Sequence, residues 1–291
     1  MMPENIYELE AETQDLQSVD FQKAAELVAR MEAKEEHLSF SSIAAFAKSP
    51  RHFMIYKLGE FKETPAMLLG SLIDCLITEP DNFDSKYTVP PANAAMNSNE
   101  GLQSWADFLG IEFEATWKMI DKKRAIDSEK EQSGLKFVDA KTKEQAERIA
   151  REVIKNDAAN YVLSRVTETQ KSLSWEYGGW NWKGKPDFVG GGMIADLKLT
   201  ADALPRKCER VILDDRYHWQ QALYGQGKEQ DHFVVMVDRA GNVSVHQLSR
   251  KTILNAWSQI DDCITKLERC ILWGDWWKSY DFHTPHGIYK I

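Results

Sequence analysis

The segment GKPDFVGGGMIADLKLT, residues 184–200, sets two carboxylates and an ammonium on two apolar runs joined by glycines: Asp187 on the first, Asp196 and Lys198 on the second. Side chains of a strand alternate faces, so Asp196 and Lys198 share one face while Ala195, Leu197 and Leu199 take the other. The spacing predicts a polar, reactive face and a core face. Pairing Asp187 opposite Ile194 puts all three charged groups on the same side, which a two- or four-residue glycine turn permits and a three-residue loop does not. Pro186 cannot donate to a ladder, which predicts an irregular strand just before Asp187 and a carboxylate splayed into a site.

Two carboxylates a few ångströms apart repel each other, and one pKa rises unless a cation sits between them. An all-oxygen ligand set selects a hard ion such as Mg²⁺, which keeps several waters and tolerates one or two protein carboxylates. With a lysine two residues on, the set can orient a metal-bound hydroxide and stabilise a phosphorane-like transition state, the chemistry of phosphodiester hydrolysis. Asp-x-Lys on an exposed strand is also a common surface pattern, so the residues carry weight only as a set. The next segment, RYHWQQALYGQ, predicts a helix with Tyr217, Gln220 and Tyr224 at i, i+3 and i+7. A glutamine between two tyrosines fits a core stripe poorly.

The elements that must position these residues belong to a chain of 291 residues, 43% hydrophobic and 11% aromatic, which excludes general disorder. No run of about 18 apolar residues occurs, and the start MMPENIYELEAETQ is acidic where a signal peptide is basic and then apolar, so the expectation is a cytoplasmic protein without membrane contact. The four cysteines lie far apart without a CxxC pair, which predicts reduced, buried thiols. A net charge of -9 excludes a protein that coats nucleic acid nonspecifically, but not an enzyme with its basic residues gathered in one groove.

Residues 1–37 read as an acidic, helix-prone N-terminal arm, and 38–291 as a single domain with an inserted helical segment at about 90–134. LSFSSIAAFAKSPRHF predicts two short helices broken at Ser49-Pro50, TPAMLLGSLIDCLITEP a helix between prolines, and DAKTKEQAERIAREV a further helix. Strands follow at SLSWEYGGWNW, GKPDFV and MIADLKLT, then a helix, two strands (DHFVVMVD and NVSVHQLS) and a long C-terminal helix. The order predicts an α/β (α+β) fold with a central mixed sheet of about five strands flanked by helices.

GKPD, eight residues, DLK and then YHWQQALY together resemble the PD-(D/E)XK nuclease superfamily, in its RecE-type (exodeoxyribonuclease VIII) and lambda-exonuclease-like branch of RecB-like nucleases. The similarity runs from about Leu38 to Trp273 and includes LSFSSIAAFAKSPRHF and LGSLIDCLITEP in family order. The resemblance implies a restriction-endonuclease-like core, Mg²⁺ or Mn²⁺ held by Asp187, Asp196 and the Leu197 carbonyl, and a lysine, Lys198, assisting the attacking water. Gln220 and Tyr224 match the helix motif beside the family's site, and Tyr217 shares their face. Where the family has Gly-x-x-x-His with a ligating histidine, this chain has Gly70 and Asp74; an aspartate serves a hard cation as well, although a helical solvent face also explains it. For the family's acid ahead of the second strand, Glu176, Glu168 and Gln170 are alternatives. Family serines near the first helices hold DNA, which makes Ser41, Ser42 and Arg51 candidates for phosphate contacts, with a plain N-cap as the competing role for serine. The implied activity is exonuclease action on double-stranded DNA ends, 5′ to 3′, exposing single strands for recombination. Implied partners are the duplex end, a single-strand annealing protein and further copies in a trimeric or tetrameric ring. An endonuclease of the same superfamily, or a noncatalytic DNA- or partner-binding module, are the alternatives.

Overall fold

A computed structural model of the chain describes residues 20–60 and 63–283. The first part is helical: α1 (Phe21–Glu32), α2 (Phe40–Lys48), α3 (Pro50–Leu58), α4 (Pro65–Thr78) and a single turn, α5 (Phe83–Lys86). A short parallel pair, β1 (Tyr87–Thr88) and β2 (Lys136–Phe137), brackets α6 (Asn99–Leu109) and α7 (Met119–Ser133). Helices α8 (Ala140–Lys155) and α9 (Asp157–Leu163) lead into β3 (Glu168–Thr169), β4 (Leu173–Tyr177), β5 (Trp180–Gly184), β6 (Phe188–Gly190) and β7 (Met193–Thr200). Then come α10 (Pro205–Asp214), α11 (Tyr217–Gly225), β8 (Asp231–Asp238), β9 (Val243–Gln247) and the long α12 (Arg250–Trp273). Among the described residues no helix is long and apolar enough to cross a membrane, and the four cysteines are buried and unbonded.

The central sheet is five-stranded and mixed, in the order β3-β6-β7-β8-β9, with β7 and β8 parallel and the other pairs antiparallel. One face packs on α4, α8 and α9 through Leu72, Ile73, Ile149, Val153 and Val162 against Ala195, Leu197, Phe233 and Val235. The other face meets α10 through Cys208 and Ile212 against Val234 and Met236, and meets α11 along β7. A strand covered on both sides reads as a continuous apolar run, as DHFVVMVD does.

Three expectations change here. SLSWEYGGWNW forms β4 and β5, a separate hairpin, and the fifth strand of the sheet is instead the two-residue β3; so short a strand carries no periodicity to read. The stretch expected as an N-terminal arm buries Ala24, Leu27 and Met31 in the same cluster as Trp180, Trp182 and Leu267, while its first nineteen residues lie outside those described. The face of β7 carrying Asp196 is roofed by α11, and Asp196 is only 1% exposed. Helices α6 and α7 share a small core of Leu102, Trp105 and Ile126.

The β6–β7 register pairs Phe188 with Ala195 and Gly190 with Met193, leaving Gly191 and Gly192 as a two-residue turn. Both have positive φ, 53° and 68°, as a type I′ turn requires. The register is displaced by two residues from the pairing with Ile194, placing Asp187 beside Asp196. A shift of two preserves parity, so the three charged groups still share a face. A Cβ at Gly192 meets nothing within 4 Å, so Gly192→Ala is expected to lose only the backbone preference, about 1–2 kcal/mol in urea unfolding. Gly192→Asn should recover part of that loss.

Candidate active site

Asp187 sits just before β6, and its Oδ2 accepts a hydrogen bond from the Leu197 amide at 2.8 Å. The ladder between β6 and β7 ends at Phe188–Ala195, so the carboxylate takes the place of the next rung. N–H and C=O of one strand residue point to the same edge, so the Leu197 carbonyl also faces the Asp187 side. Pro186, without an amide hydrogen, precedes the point where regular pairing begins.

Asp196 is buried beneath α11, where Gln221 Nε2 donates to its Oδ2 at 2.7 Å. Lys198 Nζ lies 3.5 Å from Asp196 Oδ1, with its side chain 19% exposed. Its ammonium stands 5.3 Å from the centre of the Tyr217 ring. From α4, Asp74 enters the same cleft as Asp187 and Lys198, a space of about 760 Å³ whose walls include Met67, Ser71, Thr200 and Arg239. Gln170 bridges the two elements: its Nε2 donates to Asp74 Oδ2 at 2.9 Å and to Asp187 Oδ1 at 3.1 Å. Gln170 adopts φ 51° and its amide N–H bonds to the Asp187 carbonyl at 3.0 Å, so the backbone is turned to deliver this side chain.

Of the three residues considered for the upstream position, Gln170 is therefore the one inside the site. Glu168 pairs with Lys171 at the surface, and Glu176 is exposed on the separate hairpin. Gln220 is directed along its own helix, donating to the Tyr224 hydroxyl at 3.1 Å, whereas its neighbour Gln221 reaches Asp196. Gln221 lies at i+4 from Tyr217 and three residues before Tyr224, so the same helical spacing admits it. The expected apolar-versus-polar face of this helix offers no discrimination, because 218–225 are all buried. Tyr224 lies close enough to Asp196 and Lys198 to feel both charges, and burial pushes its hydroxyl up to about 12.

Ser42 is fully buried and closes a capping box with Ser39, its Oγ accepting from the Ser39 amide at 2.8 Å. That role removes it from any contact with DNA. Ser41 is exposed and lines a second, smaller groove of about 440 Å³ with Lys183, Lys185 and Tyr224. Arg51 sits on α3, its amide bonded to the Lys278 carbonyl, and is not part of that groove.

Three carboxylates around one ammonium leave excess negative charge. Burial, then Asp187 nearby, pushes Asp74 up to about 8 against the partial relief from Lys198. Burial likewise pushes Asp196 up to about 7, opposed by Lys198 and reinforced by Asp187. For Lys198 burial pulls downward, but Asp196 and Asp187 outweigh it and hold the ammonium above its ordinary value. Among the described residues no three His, Cys, Asp or Glu side chains are grouped closely enough to hold an ion as they stand; Asp74 and Asp187 are linked instead through the Gln170 amide. The donor set nevertheless fits a hard divalent cation: all oxygen, overcharged, and with Asp74 Oδ1 buried and accepting no hydrogen bond.

The family model described as "PDDEXK-like domain of unknown function (DUF3799)" matches residues 39–270, most of the chain, and the protein belongs to this family. Its mixed α/β fold, a five-stranded mixed sheet flanked by helices, is that of a PDDEXK-like domain. A crystal structure from Eubacterium rectale, described as a "putative exonuclease", aligns over 83% of this chain and 84% of that one with a TM-score of 0.54. At 16% identity the likeness establishes the shared fold. No curated protein matches the chain.

The raised carboxylates have a measurable consequence. The folded, metal-free protein holds protons on Asp74 up to about pH 8 and on Asp196 up to about 7, which the unfolded chain releases near 3.8. The folded state thus binds more protons across this window, and its stability is expected to fall as pH rises from about 4 to about 8. A divalent cation binding here near neutral pH should expel protons. Titration calorimetry in two buffers of different ionisation enthalpy should show the release, and Asp74→Asn should diminish it.

Proposed function

We propose that the protein is a Mg²⁺- or Mn²⁺-dependent deoxyribonuclease that degrades duplex DNA from its ends, 5′ to 3′, exposing single strands for recombination. The observation that carries this reading is the meeting of Asp74, Asp187 and Lys198, from two distant parts of the chain, at one open cleft, with Asp196 buried beneath α11 beside the Lys198 ammonium. Asp187 and Asp196, with Asp74 and the Leu197 carbonyl, are the groups that would hold the cation. When bound, the ion supplies Lewis acidity toward a phosphate oxygen and makes a water molecule more acidic.

The chain's own part is positioning. Lys198, held cationic by its carboxylate neighbours, acts as donor and positive charge beside the phosphoryl oxygens, where charge grows in the transition state. Gln221 and the Leu197 amide fix Asp196 and Asp187 so that neither carboxylate reorients during the reaction. Gln170 holds Asp74 in place. The groove with Ser41, Lys183 and Lys185 supplies a positively charged route for the sugar-phosphate backbone to the site.

The second reading, an endonuclease with the same chemistry, draws on the openness of the cleft at Asp74, Asp187 and Lys198. The test is digestion of linear duplex labelled at either the 5′ or the 3′ end, with a covalently closed circle alongside, in Mg²⁺. End-dependent loss of the 5′ label first, absent in Asp196→Ala, is the expected result. Lys198→Gln should lower the rate about a hundredfold or more. Cleavage of the circle would favour the endonuclease, and a folded protein that leaves every DNA intact would overturn both readings in favour of a binding module.

A further inference from the structure

A separate cavity of about 690 Å³ opens at the other end of the sheet, between the loop joining α11 to β8 and the first two turns of α12. Gly192 lines it, four residues along β7 from Asp196, or about 13 Å at the rise of a strand. Two side chains on its wall each bury one polar atom without a partner, although the His232 ring also meets the Gln221 backbone. His232 is 5% exposed, and its Nδ1 makes no hydrogen bond among the described residues. The buried Nε2 of Gln230 likewise has none. Both stand over Gly225, where an added Cβ would come within 2.5 Å of the imidazole and 3.0 Å of the Gln230 nitrogen. With no side chain at Gly225, the His232 ring and the Gln230 amide pack directly against α11.

The rest of the lining is divided by chemistry. Ile253, Leu254 and Trp257 form an apolar, partly aromatic wall at successive turns of α12. Lys228 and Arg250 bring positive charge to the mouth, beside the N-terminus of α12, whose 24 residues give it a full helix dipole. Of the two acids present, Asp231 is paired with Arg165 at 2.8 Å and accepts a hydrogen bond from Gln247 at 3.0 Å, which leaves the exposed Glu229 as the opposing charge.

We infer that this cavity binds a nucleotide, its base packed on Trp257, Ile253 and Leu254 with its polar edge on Gln230 and His232, and its phosphate at Lys228 and Arg250. An amide and an imidazole side by side suit the donor and acceptor pattern of a base edge, and an aromatic wall suits its flat face. The same chemistry is offered by a free mononucleotide and by one nucleotide of a single strand. The strand as source rests on the nuclease reading; nucleotide recognition itself does not.

The test uses the full chain in EDTA, so that no divalent cation brings ligand to the aspartates, and titrates dAMP, inorganic phosphate and a short single-stranded oligonucleotide by calorimetry up to about 1 mM. The expected result is saturable dAMP binding that weakens about tenfold or more in both Lys228→Glu, a surface change that leaves the fold intact, and Gln230→Leu. Asp196→Ala should bind dAMP like the parent. Tighter binding of the oligonucleotide, lost in the same variants, identifies a strand as the occupant; tighter binding of dAMP identifies a free nucleotide. Phosphate binding as well as dAMP does, or no binding of dAMP, would overturn the proposal, and neither result depends on whether the protein cleaves DNA.

Discussion

The parity of one hairpin governs the site. Gly191 and Gly192 adopt positive φ and close β6 onto β7 in two residues, so Asp187 falls on the same side as Asp196 and Lys198. A turn longer by one residue would send Asp187 through the sheet into the cluster of Leu72, Ile149 and Val235, where a carboxylate has no partner. The Leu197 amide then completes what the turn begins, because the ladder stops one rung short and the Asp187 carboxylate accepts the free donor.

Burying such a cluster is unfavourable, and the surrounding fold shows how it is tolerated. Each carboxylate has a specific neutral donor: Gln170 for Asp74 and Asp187, Leu197 for Asp187 again, Gln221 for Asp196. One ammonium serves the whole set, and the excess charge appears as carboxyls that stay protonated to near neutrality. A site in this condition stores affinity for a hard cation, since ion binding replaces repulsion with attraction at the moment the protons leave. The arrangement is local: α4 supplies Asp74, the segment before β4 supplies Gln170, and α11 supplies Gln221, all against the middle of one strand pair.

The order of the long elements agrees with the order read from the residues, because those segments are strongly periodic. The α8 helix, the alternation of β7 and the continuous apolar run of β8 each declare their type without help from neighbours. The two-residue β3 declares nothing, and the β4–β5 hairpin looks like any other strand pair until it is seen packing on Ile264, outside the main sheet.

Sequence alone named the candidate groups: Asp187, Asp196 and Lys198 with their spacing, the glycine turn between them, and Asp74 four residues after Gly70. Those features are local, set by period-two alternation and by the φ requirements of a tight turn. Tertiary structure decided which of several equivalent side chains reach the candidate site. Gln170 rather than Glu168 or Glu176, and Gln221 beside Gln220, are choices made by contacts between segments 17 to 96 positions apart. Ser42 turned inward because the Ser39 amide needed an acceptor at the start of α2, and Ser41 was left facing the groove. Spacing along the chain names the groups that can do chemistry; only the packing of distant elements can say which of them arrive.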